Sequence, residues 1–156
     1  MRVNMLPKWH ILYGYIFSLV LIYFFKFSLL AGLIVFLSSV FIDLDHVLIY
    51  FLKTKNLNPQ KFYSWSITKK NIWSSLCKEE KKNLKRPHFI LHGIEFILLL
   101  SILSYFYTFF FWILLGVILH LVQDLFILFY EREHISIKTS QIWLWQRNKN
   151  RKEFTI

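Results

Sequence analysis

Two apolar stretches, residues 11–52 and 89–130, are too apolar to lie in water and too long to cross a membrane once. The first runs fifteen uncharged residues from Ile11 to Phe25, meets Lys26, and continues for sixteen more from Phe27 to Ile42. At 1.5 Å per residue a helix from His10 to Leu52 would measure roughly 65 Å, about twice a bilayer core. It must fold back, and Lys26 marks the place. The same length argument divides the second stretch near Ser104 to Thr108. The expectation is an all-α integral membrane four-helix bundle: one domain, with two helical hairpins at about residues 9–52 and 88–130.

Most of the charges fall outside these stretches. The segment 53–87 carries Lys53, Lys55, Lys61, Lys69, Lys70, Lys78, Lys81, Lys82, Lys85 and Arg86 against Glu79 and Glu80 alone. The tail 131–156 adds Lys138, Arg147, Lys149, Arg151 and Lys152, and Arg2 and Lys8 precede the first apolar run. By the positive-inside rule, loop, tail and both termini are cytoplasmic, which suits an even number of spans. A net charge of +10 spread over a soluble surface would suggest nucleic acid, but this charge is gathered beside membrane segments, so nucleic acid is the weaker reading and anionic lipid headgroups the expected partners of the basic loop. Trp65 and Trp73 in that loop suit a helix lying on the headgroup layer, with a solvated loop as the alternative. No small-residue cleavage site follows Phe25, so the first apolar run reads as a retained span.

Within the apolar stretches the ionisable residues are few and share a depth. His10 opens the first helix and His88 and His92 the third, while Asp43, Asp45 and His46 in the second and His120 and Asp124 in the fourth lie about 10–16 Å below the same surface. Asp43 and His46 are i,i+3; His88 with His92 and His120 with Asp124 are i,i+4; Glu95 falls on the same stripe as His92. Asp45 points elsewhere on a regular helix, so it requires a local distortion, a second metal or an outer role. Two carboxylates within one turn repel unless a cation sits between them, and intramembrane charges mark function. The single cysteine, Cys77, excludes a disulfide framework and multi-cysteine metal sites. A metal would therefore sit on His10, Asp43, Asp45, His46, His88, His92, His120 and Asp124, a ligand set suited to one or two divalent ions, Zn first and Mn or Fe next.

These residues resemble the membrane-bound, predicted metal-dependent hydrolases, including the LexA-regulated inner-membrane hydrolase group. That family has an early His, a D-[IL]-D-H motif in the second apolar segment, H-R-G-x-T-H-S opening the third and H-x-x-x-D in the fourth. Here "KWHILYG" offers His10, "DLDH" offers Asp43, Asp45 and His46, and "LHLVQD" offers His120 and Asp124. In "RPHFILHGIE" His92 matches the second His of the third motif; His88 precedes it by four residues where the family spacing is five, and the Arg, Gly and Thr between are missing. The resemblance implies a metal-centred hydrolytic site inside a helical membrane protein.

The expected function is thus hydrolysis of a phosphoester or lipid-linked substrate at the cytoplasmic leaflet, with Asp45 as bridging ligand or base and Glu95 as an alternative base. The rival is a non-catalytic structural or accessory subunit, seated against a protein partner, in which the His/Asp cluster cements the helices. Only four glycines suggest packing by bulky Phe and Leu rather than by small residues.

Overall fold

The structure, a computed structural model, describes residues 7–130 and 139–153. Arg2 and Lys138, counted above among the cytoplasmic cations, lie outside the described residues. The described chain is helical, with one isolated bridge between Leu84 and Lys152 in place of any strand.

Helix α1 (Pro7–Tyr23) turns at Phe24–Ser28 into α2 (Leu29–Phe41), and Lys26 holds a left-handed φ of 58° at the corner. Ser28 caps α2 by accepting from the Ala31 amide at 3.2 Å. A break at Ile42 and Asp43 separates α2 from α3 (Leu44–Thr54). The basic segment is neither a plain loop nor one helix: it forms α4 (Pro59–Ser75), with Asn58 capping and Pro59 at the first turn, and the short α5 (Lys78–Asn83). α6 (Ile94–Phe106) and α7 (Thr108–Tyr130) make the second hairpin, turning at Tyr107, and α8 (Gln141–Asn148) lies in the tail.

α2 with α3 (Leu29–Thr54, 26 residues) and α7 (23 residues) are long and apolar enough to cross a membrane; the apolar helices Trp9–Tyr23 and Ile94–Phe106 are shorter. Length alone therefore supports two crossings where the sequence leads one to expect four. The third helix loses its first turns because residues between Pro87 and Gly93 are spent elsewhere. Pro87 favours extended backbone in the residue before it, and Ile90–His92 form only a 3₁₀ turn before Gly93 caps α6. His88 and His92 consequently do not share one face of a regular helix.

α2 is central, packed between α1 and α7, and α6 packs on α7. Ile42, Leu100, Leu114, Val117 and Leu121 form a buried apolar core. The expectation of bulky packing fails at the α2–α7 crossing, where Gly116 lies against Val35, Ser38 and Ser39 so closely that a Cβ there would collide with the Val35 carbonyl. The helices approach backbone to backbone, as small residues permit. The outer faces stay apolar and open, with Phe24 80% and Tyr105 88% exposed.

Candidate metal centre

Six of the sequence-selected side chains come together. Three overlapping groups, His10–Asp43–His120, Asp43–His46–His92 and His92–His120–Asp124, each have ligand atoms within 4.8 Å of one another, close enough to bind a metal ion. His10, His92, His120 and Asp124 are buried, the two central histidines completely. Asp43 and His46 keep 31% and 34% of their side chains exposed, so the cluster is closed on the α1–α7 side and open where α2 meets α3.

The centre of the cluster is four atoms. His92 Nε2 lies 3.4 Å from Asp43 Oδ1 and 3.5 Å from Asp124 Oδ2, and His120 Nε2 lies 3.4 Å and 3.5 Å from the same two oxygens. These separations exceed ordinary N–H···O hydrogen bonds of about 2.7–3.2 Å. They are close to the spacing, about 3.3–3.4 Å, of neighbouring ligand atoms around a metal whose bonds are about 2.0–2.1 Å. His10 Nε2 stands outside at 3.9 Å from Asp124 Oδ1, its ring stacked on His120 with centroids 4.3 Å apart. His46 Nε2 flanks the other side, 3.6 Å from Asp43 Oδ1.

The far side of each central imidazole is tied down. His120 Nδ1 lies 2.8 Å from the Ser39 carbonyl oxygen, an atom that only accepts, so Nδ1 carries the hydrogen. His92 Nδ1 lies 3.0 Å from Asp45 Oδ2 and donates to it in the same way. In the neutral rings both Nε2 lone pairs then point at carboxylate oxygens. Two lone pairs and two anions converging on one point in a buried site repel one another, and a cation at that point turns every repulsion into attraction. Imidazole ligands held by a carboxylate or a carbonyl on the opposite nitrogen are the usual supports of metal sites.

The break between α2 and α3 explains Asp45. His46 N donates to the Asp43 carbonyl at 3.0 Å, a tight i,i+3 turn that rotates α3 relative to α2. Asp43 thereby faces the centre while Asp45, two residues on, reaches round to His92 Nδ1. A local distortion, one of the three readings that the sequence leaves open for Asp45, exists, and it places Asp45 behind a ligand rather than among the four central atoms.

Two selected residues are not brought to the cluster. His88 precedes the 3₁₀ turn, and its Nε2 lies 3.1 Å from Asn148 Nδ2. Glu95 caps α8 instead: its carboxylate accepts from Ser140 Oγ at 2.6 Å and from the amides of Gln141 and Ile142 at 3.1 Å. Its position suits a structural anchor better than a base. Sequence reasoning missed Ser39, whose part is played by a backbone carbonyl that side-chain chemistry does not announce. The pair Ser38–Ser39, small and polar in an apolar run just before "DLDH", is the signal for a close helix approach there.

Comparisons with protein-family models, curated proteins and solved structures found no match for this chain.

Proposed function

We propose that the chain is an integral membrane metal-dependent hydrolase with zinc at the His/Asp centre, acting on a phosphoester or lipid-linked substrate at the cytoplasmic leaflet. The observation that carries the metal is the four-atom figure made by Asp43, His92, His120 and Asp124, with the Nδ1 atom of each histidine already committed. Zinc prefers tetrahedral nitrogen and oxygen ligands, and a bound ion there supplies Lewis acidity and water activation near neutral pH. In this reading all four apolar helices cross the bilayer as two hairpins, with exposed aromatics facing lipid. The resemblance to membrane-bound metal-dependent hydrolases agrees in residue order: His10, the D-L-D-H run, His92 and H-x-x-x-D.

The chain's own residues would do the following. Asp124, His92 and His120 hold one side of the site in a rigid, water-poor wall. Asp43 and His46, a third exposed, form the side from which a substrate approaches. Asp45 fixes the His92 tautomer and sharpens its basicity. His10 completes a third ligand group around Asp43 and His120, so the six side chains offer more than one four-coordinate ion uses, as an open or two-ion site requires.

One observation favours the rival. Four protein ligands on one ion would describe a closed structural zinc, which would make the chain a non-catalytic subunit cemented by its ion. Hydrolysis of short-chain phosphatidic acid by the detergent-purified protein decides between them. The hydrolase reading expects release of inorganic phosphate that a chelator abolishes, zinc restores and Asp43→Asn removes. Stoichiometric zinc with no turnover across a panel of phosphomonoester and phosphodiester lipids would establish the structural reading.

A further inference from the structure

Apart from the metal cluster, a cavity of about 450 Å³ opens between the end of α3, α4, the 85–88 segment and the α8 tail. Its walls carry Lys53, Lys69, Lys85, Arg86 and Lys149 against one carboxylate, Glu153. That carboxylate is bound to Lys85 at 2.9 Å. The volume falls within the roughly 300–1,000 Å³ of small-ligand sites. Trp145 and the aliphatic Ile49 and Leu52 line the remainder, so the cavity joins an apolar wall to a cationic one.

The cations are built in rather than gathered by chance. They come from separate parts of the chain, and the fold spends specific bonds on holding them together. Asn148 accepts from the Arg86 amide at 3.2 Å and donates to the Arg86 carbonyl at 2.8 Å, while the Lys85 amide donates to the Lys152 carbonyl at 2.8 Å. Glu95, capping α8, anchors the tail that brings Lys149. Three heads are steered by aromatic rings: Lys69 over Trp65 at 4.3 Å, Arg86 over Trp73 at 4.1 Å and Lys149 over Trp145 at 4.0 Å. Like charges held this way repel, and Lys69 shows the strain, its pKa pushed down to about 8 by burial and then by the charge of Lys53.

We infer that this cavity is a phosphate-recognition site, binding a phosphomonoester group whose dianion is met by Lys53, Lys69, Lys85, Arg86 and Lys149. Phosphate suits the mixture: Arg86 offers a planar pair of donors, and the lysines add point charges. The apolar wall accommodates whatever carries the phosphate, either the glycerol and acyl part of a lipid or the body of a soluble ester. The cavity meets the metal centre through sequence neighbours: Ile49 follows His46 by one helical turn, and His88 precedes His92 by four residues. The inference stands on the cavity alone and holds whether or not the centre is hydrolytic.

The test is calorimetric titration of the full chain in neutral detergent with inorganic phosphate, sn-glycerol 3-phosphate, dihexanoyl phosphatidic acid and dihexanoyl phosphatidylcholine. Binding of at least one phosphomonoester or phosphate probe is expected, with none of phosphatidylcholine. Lys53→Gln with Lys69→Gln should weaken that binding at least about tenfold. Lys61→Gln with Lys78→Gln, the same loss of charge outside the cavity, should leave it within about twofold. Comparable binding of the soluble esters and the lipid identifies a soluble phosphorylated compound as ligand; binding of phosphatidic acid alone identifies a headgroup, and either supports the site. Failure of inorganic phosphate, glycerol 3-phosphate and phosphatidic acid alike to bind the native protein, binding of phosphatidylcholine as tight as theirs, or equal weakening by the Lys61 and Lys78 pair, overturns it. Phosphate binding that persists in metal-stripped protein separates this inference from the hydrolase reading.

Discussion

The Ser39 carbonyl oxygen lies 2.8 Å from His120 Nδ1, which ties the direction of a central imidazole to the spacing of α2 and α7. Gly116, one helical turn before His120, sets that spacing by its contact with Val35 and Ser38. The site is therefore coupled to packing well inside the bundle, through a residue with no chemistry of its own.

Gly116→Ala should force the two helices apart. Overpacking of this kind costs about 1–3 kcal/mol. The expected outcome is a lower melting temperature in detergent together with weaker zinc retention against a chelator. Unchanged metal affinity with lowered stability would separate the crossing from the site.

Asp45→Asn should leave the helices intact and loosen the metal. Asparagine can present an amide hydrogen to His92 Nδ1, favouring the tautomer whose Nε2 carries the hydrogen and faces Asp43 and Asp124. Losing the group that orients a ligating imidazole costs about 10–100-fold in metal affinity. Competition with a zinc-sensitive dye measures it, and an unchanged affinity would return Asp45 to the role of base.

The hairpin turns and the membership of the cluster are largely legible in the sequence. Helix length against bilayer thickness places the first turn at Lys26, where the chain adopts its left-handed corner. Spacing pairs His120 with Asp124, and the place of Asp45 off the Asp43–His46 face calls for a distortion, a second metal or an outer role, of which the structure has the break and the outer role. Apolarity alone extends the third helix back to His88, whereas Pro87 and Gly93 bracket that segment as punctuation and the chain forms a 3₁₀ turn there. Glu95 lay on the expected stripe, but its partners Ser140 to Ile142 are 45 to 47 residues away, and no local pattern points to them. Long-range capping is decided by tertiary packing, which a periodicity cannot read.

Glu95→Gln tests that anchoring. A glutamine keeps the size but removes the charge that the α8 amides and Ser140 address, a cap worth about 0.5–2 kcal/mol. Amide hydrogens of residues 141–144 should exchange faster, while zinc content stays at the native level. Loss of zinc would place Glu95 at the metal after all.

Lys69 should be the reactive lysine of the protein. Burial and the Lys53 charge both disfavour its ammonium, so its proton leaves at lower pH, at about 8 where the ordinary value is 10.5. Near pH 8 about half of Lys69 is then neutral, a fraction on the order of a hundredfold above that of an ordinary lysine. Amine acetylation followed by peptide mass spectrometry should label Lys69 ahead of Lys61 or Lys78 at that pH and lose this preference as pH rises above about 10. Uniform labelling at pH 8 would show that the cation is not strained.

Asp43, His92, His120 and Asp124 are proposed to hold a metal ion. Elemental analysis of detergent-purified protein, native and carrying Asp43→Ala with His120→Ala, measures it directly, with circular dichroism to confirm that both are helical. About one or two zinc ions per native chain and none in the variant are expected. A native protein that holds no stoichiometric metal, even after reconstitution with zinc, manganese or iron, would contradict it.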